Sequence, residues 1–387
     1  MRRLQHLDGL RGWAALFVLF HHVARAFLPA GNSAAGQDPI LAPFTFLTDG
    51  PLAVSIFFIL SGIVLAAAVD AARAGAVPPS LPGLIVKRWL RLGLPILAAG
   101  LLVPLLFAFG ANQAGAVAGV THSAFLRDFF PAGYQPSVPQ VIREAAVGAF
   151  VGPDTPEHDP ILWTIRIEFP GSILVFALKL FTPRGRPTVM AALIAAVALT
   201  LLPFWMAHFC ALFALGVAMR EIAAHEKRSE WFAEWHDVAG FAMILLGLSI
   251  YPLLDAEAHG LMRRLGGLVD PIGHMSQFTI RSVLVVGGVM LSPTIQRFLS
   301  NAVSTFLGRI SFGLYLLHAP LLWSLGGLTY LQLYWRLGQK PAALLAGAAV
   351  AVAACIAAKL FHHAVEKPAM KLASQAVMRR GVVLRRG

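Results

Sequence analysis

The amino-acid sequence predicts an all-α integral membrane protein, a bundle of about ten transmembrane helices. Of its 387 residues, 57% are hydrophobic and only 13% are charged, whereas about a quarter of the residues in a soluble domain are charged. The mean hydropathy is +0.70. Apolar runs of about 18 residues or more recur along the whole chain, which is the length that spans a bilayer as a helix.

The predicted spans are too long and too uniformly apolar for the strands of a barrel, which is the other fold that satisfies backbone groups in lipid. We expect one transmembrane domain over residues 1–366 and a short basic tail, 367–387, that contacts anionic lipid. The ten spans are predicted at 9–29, 49–70, 92–111, 161–181, 188–204, 207–222, 238–254, 280–297, 306–328 and 342–363.

The net charge of +12 would suggest a nucleic-acid partner in a soluble protein. In a membrane protein the simpler explanation is that Lys and Arg collect on cytoplasmic loops, so we expect no nucleic acid. With the N-terminus inside, the inner side carries more than twice as many Lys and Arg as the outer side. This bias predicts that both termini are cytoplasmic. The long outer segments 112–160 and 255–279 are then either functional, for example as a cap over an outer site, or disordered.

The first predicted helix carries polar residues where they are costly, which marks a functional hypothesis in a membrane segment. Arg11 and His22 are eleven positions apart, so they share one helix face and lie about 16 Å apart along the axis. A cation at the inner rim and a deeper proton acceptor would suit a ligand with an anionic end and a reactive end. The alternative is that Arg11 is a snorkelling topogenic charge and His22 a hydrogen bonder within the bundle.

Three further polar features have a functional and a structural interpretation. Arg88 and Arg91 are neighbours on a helix and could clamp a phosphate, or they follow the bias of cytoplasmic charge. Glu168 could orient His22 or an acceptor, or form an ion pair with another helix. His318 is either a satisfied residue of the bundle or part of the site.

Six motifs in order along the chain resemble those of the acyltransferase-3 family, whose members acylate bacterial surface glycans and some small molecules. The resemblance covers nearly the whole chain. The motifs are LDGLRGWAALFVLFHH at 7–22, FFILSG at 57–62, the RxxR pair at 88–91, the WTxxxE pattern at 163–168, ISFGLYLLHAP at 310–320 and VEKP at 365–368.

The resemblance implies an O-acyltransferase of the bacterial inner membrane. It implies transfer of an acyl group, acetyl by default, from cytoplasmic acyl-CoA to a hydroxyl of a carbohydrate or small-molecule acceptor. We expect the stand-alone form, without the C-terminal SGNH-type esterase domain of longer members, and no metal. The residues that we expect to act are His22 and Glu168 in catalysis, Arg11, Arg88 and Arg91 in acyl-CoA binding, and Ser61, Trp163 and His318 in substrate binding.

Two questions stay open at the level of sequence. His22 could act as a general base on the acceptor hydroxyl or carry the acyl group as a transient acyl-histidine. A transporter or flippase of a glycan or lipid precursor is the alternative function, and a scaffold for glycan assembly is a third. The sequence shows no inverted repeat of the kind found in transporters.

Overall fold

The structure, a computed structural model, describes residues 5–28, 42–75, 78–130, 134–152, 158–202, 204–225, 235–249 and 270–383. All regular elements in these ranges are helical, so the predicted all-α class is confirmed for them. The predicted outer segment 255–279 lies outside the described residues except for 270–279. The basic tail predicted from residue 367 is helical as far as Val383.

Eighteen α-helices are described, and short 3₁₀ or π-helical turns join several of them. The 3₁₀ turns are Ala42–Thr48 and Pro160–Thr164, and the π turns are Glu144–Gly148, Leu322–Gly326 and His362–Glu366. The α-helices are α1 (Gln5–Phe27), α2 (Gly50–Arg73), α3 (Leu81–Gly100), α4 (Leu102–Ala108), α5 (Ala114–Thr121), α6 (Ala124–Phe129), α7 (Val138–Arg143), α8 (Ala149–Val151), α9 (Ile165–Phe181), α10 (Arg186–Thr200), α11 (Trp205–His225), α12 (Trp235–Ser249), α13 (Asp270–Leu291), α14 (Pro293–Leu299), α15 (Ala302–Leu321), α16 (Gly327–Leu337), α17 (Gln339–Phe361) and α18 (Lys367–Val383).

The predicted count of about ten spans is not confirmed. Among the described residues, six helical segments are long and apolar enough to cross a membrane, or seven if the pair Gln277–Leu291 and Pro293–Leu299, bent by 95°, is one span. The six are Gly50–Arg73, Leu81–Ala108, Pro160–Phe181, Trp205–His225, Ala302–Leu337 and Gln339–Ala376. This set of apolar helices indicates a multi-pass membrane protein.

Two physical reasons account for the difference in count. The predicted span 188–204 corresponds to α10 and the described part of 238–254 to α12, each with 15 described residues; residues 250–254 lie outside the described part of the chain. Such a helix is about 22 Å long, short of the ~30 Å hydrocarbon core. The first predicted span corresponds to α1, whose charged and histidine residues lower its hydropathy.

The chain divides into two compact units. The first comprises Met1–Arg11, Pro51–Val86 and Ile167–Thr305, and the second comprises Gly12–Gly50, Lys87–Arg166 and Phe306–Gly387.

In the first unit, α2 and α11 cross with their backbones almost in contact. A Cβ atom on Gly62 would lie 2.3 Å from the carbonyl oxygen of Phe213, and one on Gly216 would lie 2.3 Å from that of Ile59. Small residues permit such close approach between membrane helices. Gly62 therefore serves close helix packing, and the neighbouring Ser61 is buried beside the crossing.

A buried ionic network also joins helices of the first unit. The side chain of Lys179 on α9 is 1% exposed, and its Nζ contacts Asp70 Oδ1 on α2 at 2.8 Å and Glu221 Oε1 on α11. The second oxygen of Glu221 accepts a hydrogen bond from the Gly185 amide at 2.8 Å. Because one ammonium serves two largely buried carboxylates, its removal takes away the nearest cation of both.

We expect Lys179→Met to reduce the stability of the protein strongly. Removal of one partner from a buried ion pair typically costs about 3–5 kcal/mol, since the remaining charge is left in a poorly solvated place. Thermal unfolding in detergent measures the loss. Lys359→Met, at an exposed position, is the control, and equal melting temperatures of the two variants would contradict the role of the network.

In the second unit, α1 lies directly against α15. A Cβ atom on Gly12 would lie 2.4 Å from the backbone nitrogen of Gly308, so only glycine permits this approach. Ten residues further along each helix, His22 contacts His318. The two helices therefore run side by side in the same direction, and this alignment positions the candidate site.

Candidate active site

The centre of the candidate site is a direct contact between two histidines of the second unit. His22 Nδ1 on α1 lies 2.8 Å from His318 Nε2 on α15. The ring planes differ by 11° and the ring centroids are 5.1 Å apart. At the observed N–N distance this separation means that the rings meet edge to edge, nearly coplanar, which is the geometry of a hydrogen bond between ring nitrogens. His318 is 1% exposed, and His22 is half-buried.

Tyr315, one turn before His318, connects this pair to the WTxxxE motif. The backbone carbonyl of Tyr315 accepts a hydrogen bond from His318 Nδ1 at 2.6 Å. The Tyr315 hydroxyl bonds to the carbonyl oxygen of Ile161 and lies 2.6 Å from Thr164 Oγ1. The turn Pro160–Thr164 is thereby held against α15, and Trp163 lies in the same turn.

An aromatic residue from the long segment 112–160 covers the other side of His22. The Phe125 ring on α6 is parallel to the His22 ring within 5°, with centroids 5.1 Å apart. Arg25 Cζ lies 4.8 Å from the centroid of the same Phe125 ring. Ser123 caps α6 through its hydroxyl, which also donates to the carbonyl of Arg25 at 2.7 Å. These contacts support the interpretation that part of 112–160 acts as a cap.

His21, the neighbour of His22, has a different partner. Its Nδ1 donates to the carbonyl of Thr48 at 2.7 Å. The His21 and His22 rings are in edge contact, with centroids 5.3 Å apart. The two adjacent histidines of α1 are therefore each held by a separate hydrogen bond.

The RxxR pair lies on α3, also in the second unit. Trp89, between the two arginines, donates its Nε1 proton to the carbonyl of Ala146 at 2.8 Å. Arg91 has a favourable electrostatic interaction with the carboxylate of Glu366 in the VEKP motif. Glu366 Oε2 also lies 2.8 Å from His362 Nδ1. Arg91 is exposed and Arg88 is half-buried.

Three predicted site residues belong to the first unit. Arg11 forms an ion pair with Asp8, with an N–O distance of 3.7 Å. Glu168 on α9 is near Cys210 on α11, and Ser61 is buried on α2. Arg11 and His22 do lie on one continuous helix, as the spacing predicted. Whether they face a common passage stays a prediction.

The segment 112–160 also contains a buried histidine–carboxylate pair that the sequence analysis did not single out. His158 Nδ1 lies 2.7 Å from Glu144 Oε2, and both side chains are largely buried. The next residue, Asp159, caps the turn Pro160–Thr164 by accepting from the Ile161 amide. Burial, with a further contribution from Glu144, holds the pKa of Asp159 well above its usual range.

The comparisons with known proteins now identify the family. The family model for an acyltransferase domain, Acyl_transf_3, matches residues 4–360. The chain belongs to the acyltransferase-3 family. An O-acetyltransferase, PaAT-1 of Phomopsis amygdali, is 23% identical over 365 residues, which cover 83% of this chain and 72% of the relative. No solved structure gives a significant match.

The protein is thus an O-acyltransferase, as the motifs predicted. An ester is formed by attack of a hydroxyl on an acyl donor, and a histidine is the side chain best suited to take the hydroxyl proton near neutral pH. Two histidines, His22 and His318, are in direct contact at the candidate site. Among the described residues, no group of three or more His, Cys, Asp or Glu is arranged to hold a metal ion.

The raised pKa of Asp159 predicts a specific dependence of stability on pH. The folded protein holds this proton more tightly than the unfolded chain, so folding stability falls as pH rises from about 4, the ordinary pKa of aspartate, toward the raised value. Asp159→Asn keeps the capping oxygen and removes the ionisation. We therefore expect the variant to gain thermal stability over the wild type between pH 5 and pH 8.

Melting temperatures in detergent at several pH values measure this difference. Asp128→Asn is the control because the Asp128 side chain is 71% exposed. Parallel pH profiles for wild type and Asp159→Asn would contradict the assignment.

Proposed function

We propose that this O-acyltransferase transfers an acyl group, acetyl by default, from cytoplasmic acyl-CoA to a hydroxyl of a carbohydrate or related small-molecule acceptor. The observation that carries the proposal is the contact of His22 with His318, in a family that performs acyl transfer. The name of the fungal relative, an O-acetyltransferase, supports acetyl as the group transferred. Family membership favours an enzyme over the transporter and scaffold alternatives.

The donor is proposed to bind through its phosphates. Arg88 and Arg91 are one helical turn apart on α3, and paired guanidiniums bind phosphate oxygens bidentately. The bond of Trp89 to Ala146 holds this part of α3 in place. The pantetheine arm is proposed to lead to His22, and donor binding by Arg11 stays a prediction from the sequence.

The proposed reaction balances without a further reagent. His22 removes the proton from the acceptor hydroxyl while the hydroxyl oxygen attacks the carbonyl carbon of the thioester. The tetrahedral intermediate then collapses, the C–S bond breaks, and the proton passes from His22 to the leaving thiolate. The products are the ester and CoA, and a positioned base of this kind contributes about a hundred- to ten-thousand-fold to the rate.

A transient acyl-histidine is the alternative that the same geometry supports. Here the ring nitrogen of His22 attacks the thioester directly, CoA leaves, and the acceptor hydroxyl removes the acyl group in a second step. Intact-protein mass spectrometry after rapid mixing with acetyl-CoA distinguishes the two routes, since only this one adds an acetyl mass to the protein.

The roles of Glu168, Ser61 and Trp163, the host membrane and the acceptor are also proposed. Glu168 would orient a catalytic group, and Ser61 and Trp163 would contact the substrate. A bacterial inner membrane with both termini in the cytoplasm would place acyl-CoA next to Arg88 and Arg91. Mass spectrometry of surface glycans and metabolites from cells with and without the protein would identify the acceptor.

We expect His22→Gln to lower the rate of CoA release from acetyl-CoA, with water in place of the acceptor hydroxyl, by about 100- to 10,000-fold, since the base is lost. The purified protein is assayed in detergent with a thiol-reactive dye, with no ion gradient present. His363→Gln is the matched control, because His363 is exposed and bonded only locally, to the carbonyl of Lys359. A correctly folded His22→Gln protein with wild-type turnover would remove His22 from the mechanism.

We expect Arg88→Gln and Arg91→Gln to raise the KM for acetyl-CoA by about 10- to 100-fold, because each loses charge-assisted bonds to phosphate. The same variants should behave like wild type with S-acetyl-N-acetylcysteamine, a thioester that has no phosphates. Arg127→Gln, whose side chain is 72% exposed in the wild type, is the control. An equal loss with both donors would argue against a phosphate-binding role.

A further inference from the structure

We propose that His318 is a positioning residue that fixes the tautomer of His22, so that His22 Nε2 is the nitrogen that acts as the base. The proposal rests on the proposed role of His22 and makes that role specific to one atom. It also replaces the substrate-binding role that we expected for His318.

The hydrogen-bond partners of His318 determine which of its ring nitrogens carries the hydrogen. Its Nδ1 lies 2.6 Å from the backbone carbonyl of Tyr315 and also bonds toward that of Leu314. A carbonyl oxygen only accepts, so Nδ1 must carry the hydrogen. In a neutral imidazole the other nitrogen, Nε2, then has a lone pair and no hydrogen.

His318 is neutral because of its surroundings. The side chain is 1% exposed and lies in the last turn of α15, which continues through the turn Leu322–Gly326 into α16. Among the described residues its polar contacts are His22 and backbone carbonyls, with no carboxylate. A buried imidazolium without an acidic partner would carry a large desolvation cost.

The tautomer of His318 determines the tautomer of His22. The 2.8 Å contact between His22 Nδ1 and His318 Nε2 needs one hydrogen between the two nitrogens. Since His318 Nε2 has none, His22 Nδ1 must donate. The remaining nitrogen of His22, Nε2, therefore has the free lone pair and is the basic atom.

The His318 ring has no nitrogen left to contact a substrate. Both of its ring nitrogens are occupied, one by the Tyr315 carbonyl and the other by His22. No polar atom of the ring is left for an acceptor or a donor. The Tyr315 hydroxyl, bonded to Ile161 and Thr164, anchors this part of α15, so the chain of hydrogen bonds starts from a fixed point.

The arrangement keeps His22 in place throughout the reaction. When His22 Nε2 takes the acceptor proton, Nδ1 still donates to His318 Nε2. The hydrogen bond that fixed the neutral ring therefore also holds the imidazolium in the same position. The proton on Nε2 is then given to the CoA thiolate. In metal sites, partners that fix the tautomer and orientation of a histidine are typically worth about 10- to 100-fold in activity, and we expect an effect of the same order here.

The matched variants are His318→Leu, which has no acceptor, and His318→Gln, whose amide oxygen can accept from His22 Nδ1. The first readout is nitrogen NMR of the full-length protein labelled with ¹⁵N-histidine, in which the His22 signals are assigned by their loss in His22→Gln. In wild type we expect His22 to be protonated at Nδ1 and bare at Nε2. His318→Leu should produce a mixture of tautomers, and His318→Gln should restore the wild-type state.

His21 is an internal control in the same spectra. Its Nδ1 donates to the Thr48 carbonyl and not to His318, so its tautomer should be unchanged in all variants. In the CoA-release assay, kcat should fall about 10- to 100-fold in His318→Leu with KM for acetyl-CoA unchanged, and His318→Gln should recover most of the loss.

The outcomes separate this proposal from the proposed function. A wild-type His22 that is protonated at Nε2 and bare at Nδ1 would overturn the tautomer assignment without any variant. A folded His318→Leu protein with an unchanged His22 tautomer and kcat would overturn the positioning role. Full activity of His22→Gln would instead contradict the catalytic role of His22, whatever the NMR spectra show.

Discussion

The hydrogen bond between His22 and His318 is the interaction on which the rest of the candidate site depends. It joins residues that are 296 positions apart in the sequence. The bond exists because α1 and α15 lie side by side in the same direction, and Gly12 permits their backbones to meet. A side chain at position 12 would separate the helices and with them the two imidazoles.

The surroundings of this pair follow from the need to satisfy polar groups in an apolar bundle. Buried polar atoms are costly unless they are bonded. Here the Tyr315 carbonyl accepts a hydrogen bond from His318 Nδ1, and the Tyr315 hydroxyl is bonded to the turn Pro160–Thr164. The Phe125 ring lies parallel to the His22 ring. The acyltransferase therefore holds its candidate base by a chain of bonds that ends on backbone.

The sequence was sufficient for the helical class, the family and the helix that carries Arg11 and His22, because these depend on hydropathy, local motifs and helical spacing. It was not sufficient for the number of spans, since an apolar run of 15 residues and one that crosses the bilayer have similar composition. The contacts of His22 with His318 and Phe125 join distant segments, so no local pattern contains them. The same holds for Glu144 and His158, which are 14 positions apart, with α8 between them.

The most direct test of the account is a cryo-EM structure of the protein with acetonyl-CoA, a ketone that replaces the reactive thioester. We expect its phosphates beside Arg88 and Arg91, and its carbonyl carbon close enough to His22 Nε2 for an acceptor hydroxyl to fit between them at about 2.6–3.2 Å from the nitrogen. A bound analogue whose carbonyl is remote from His22, or turned toward Nδ1, would contradict the account.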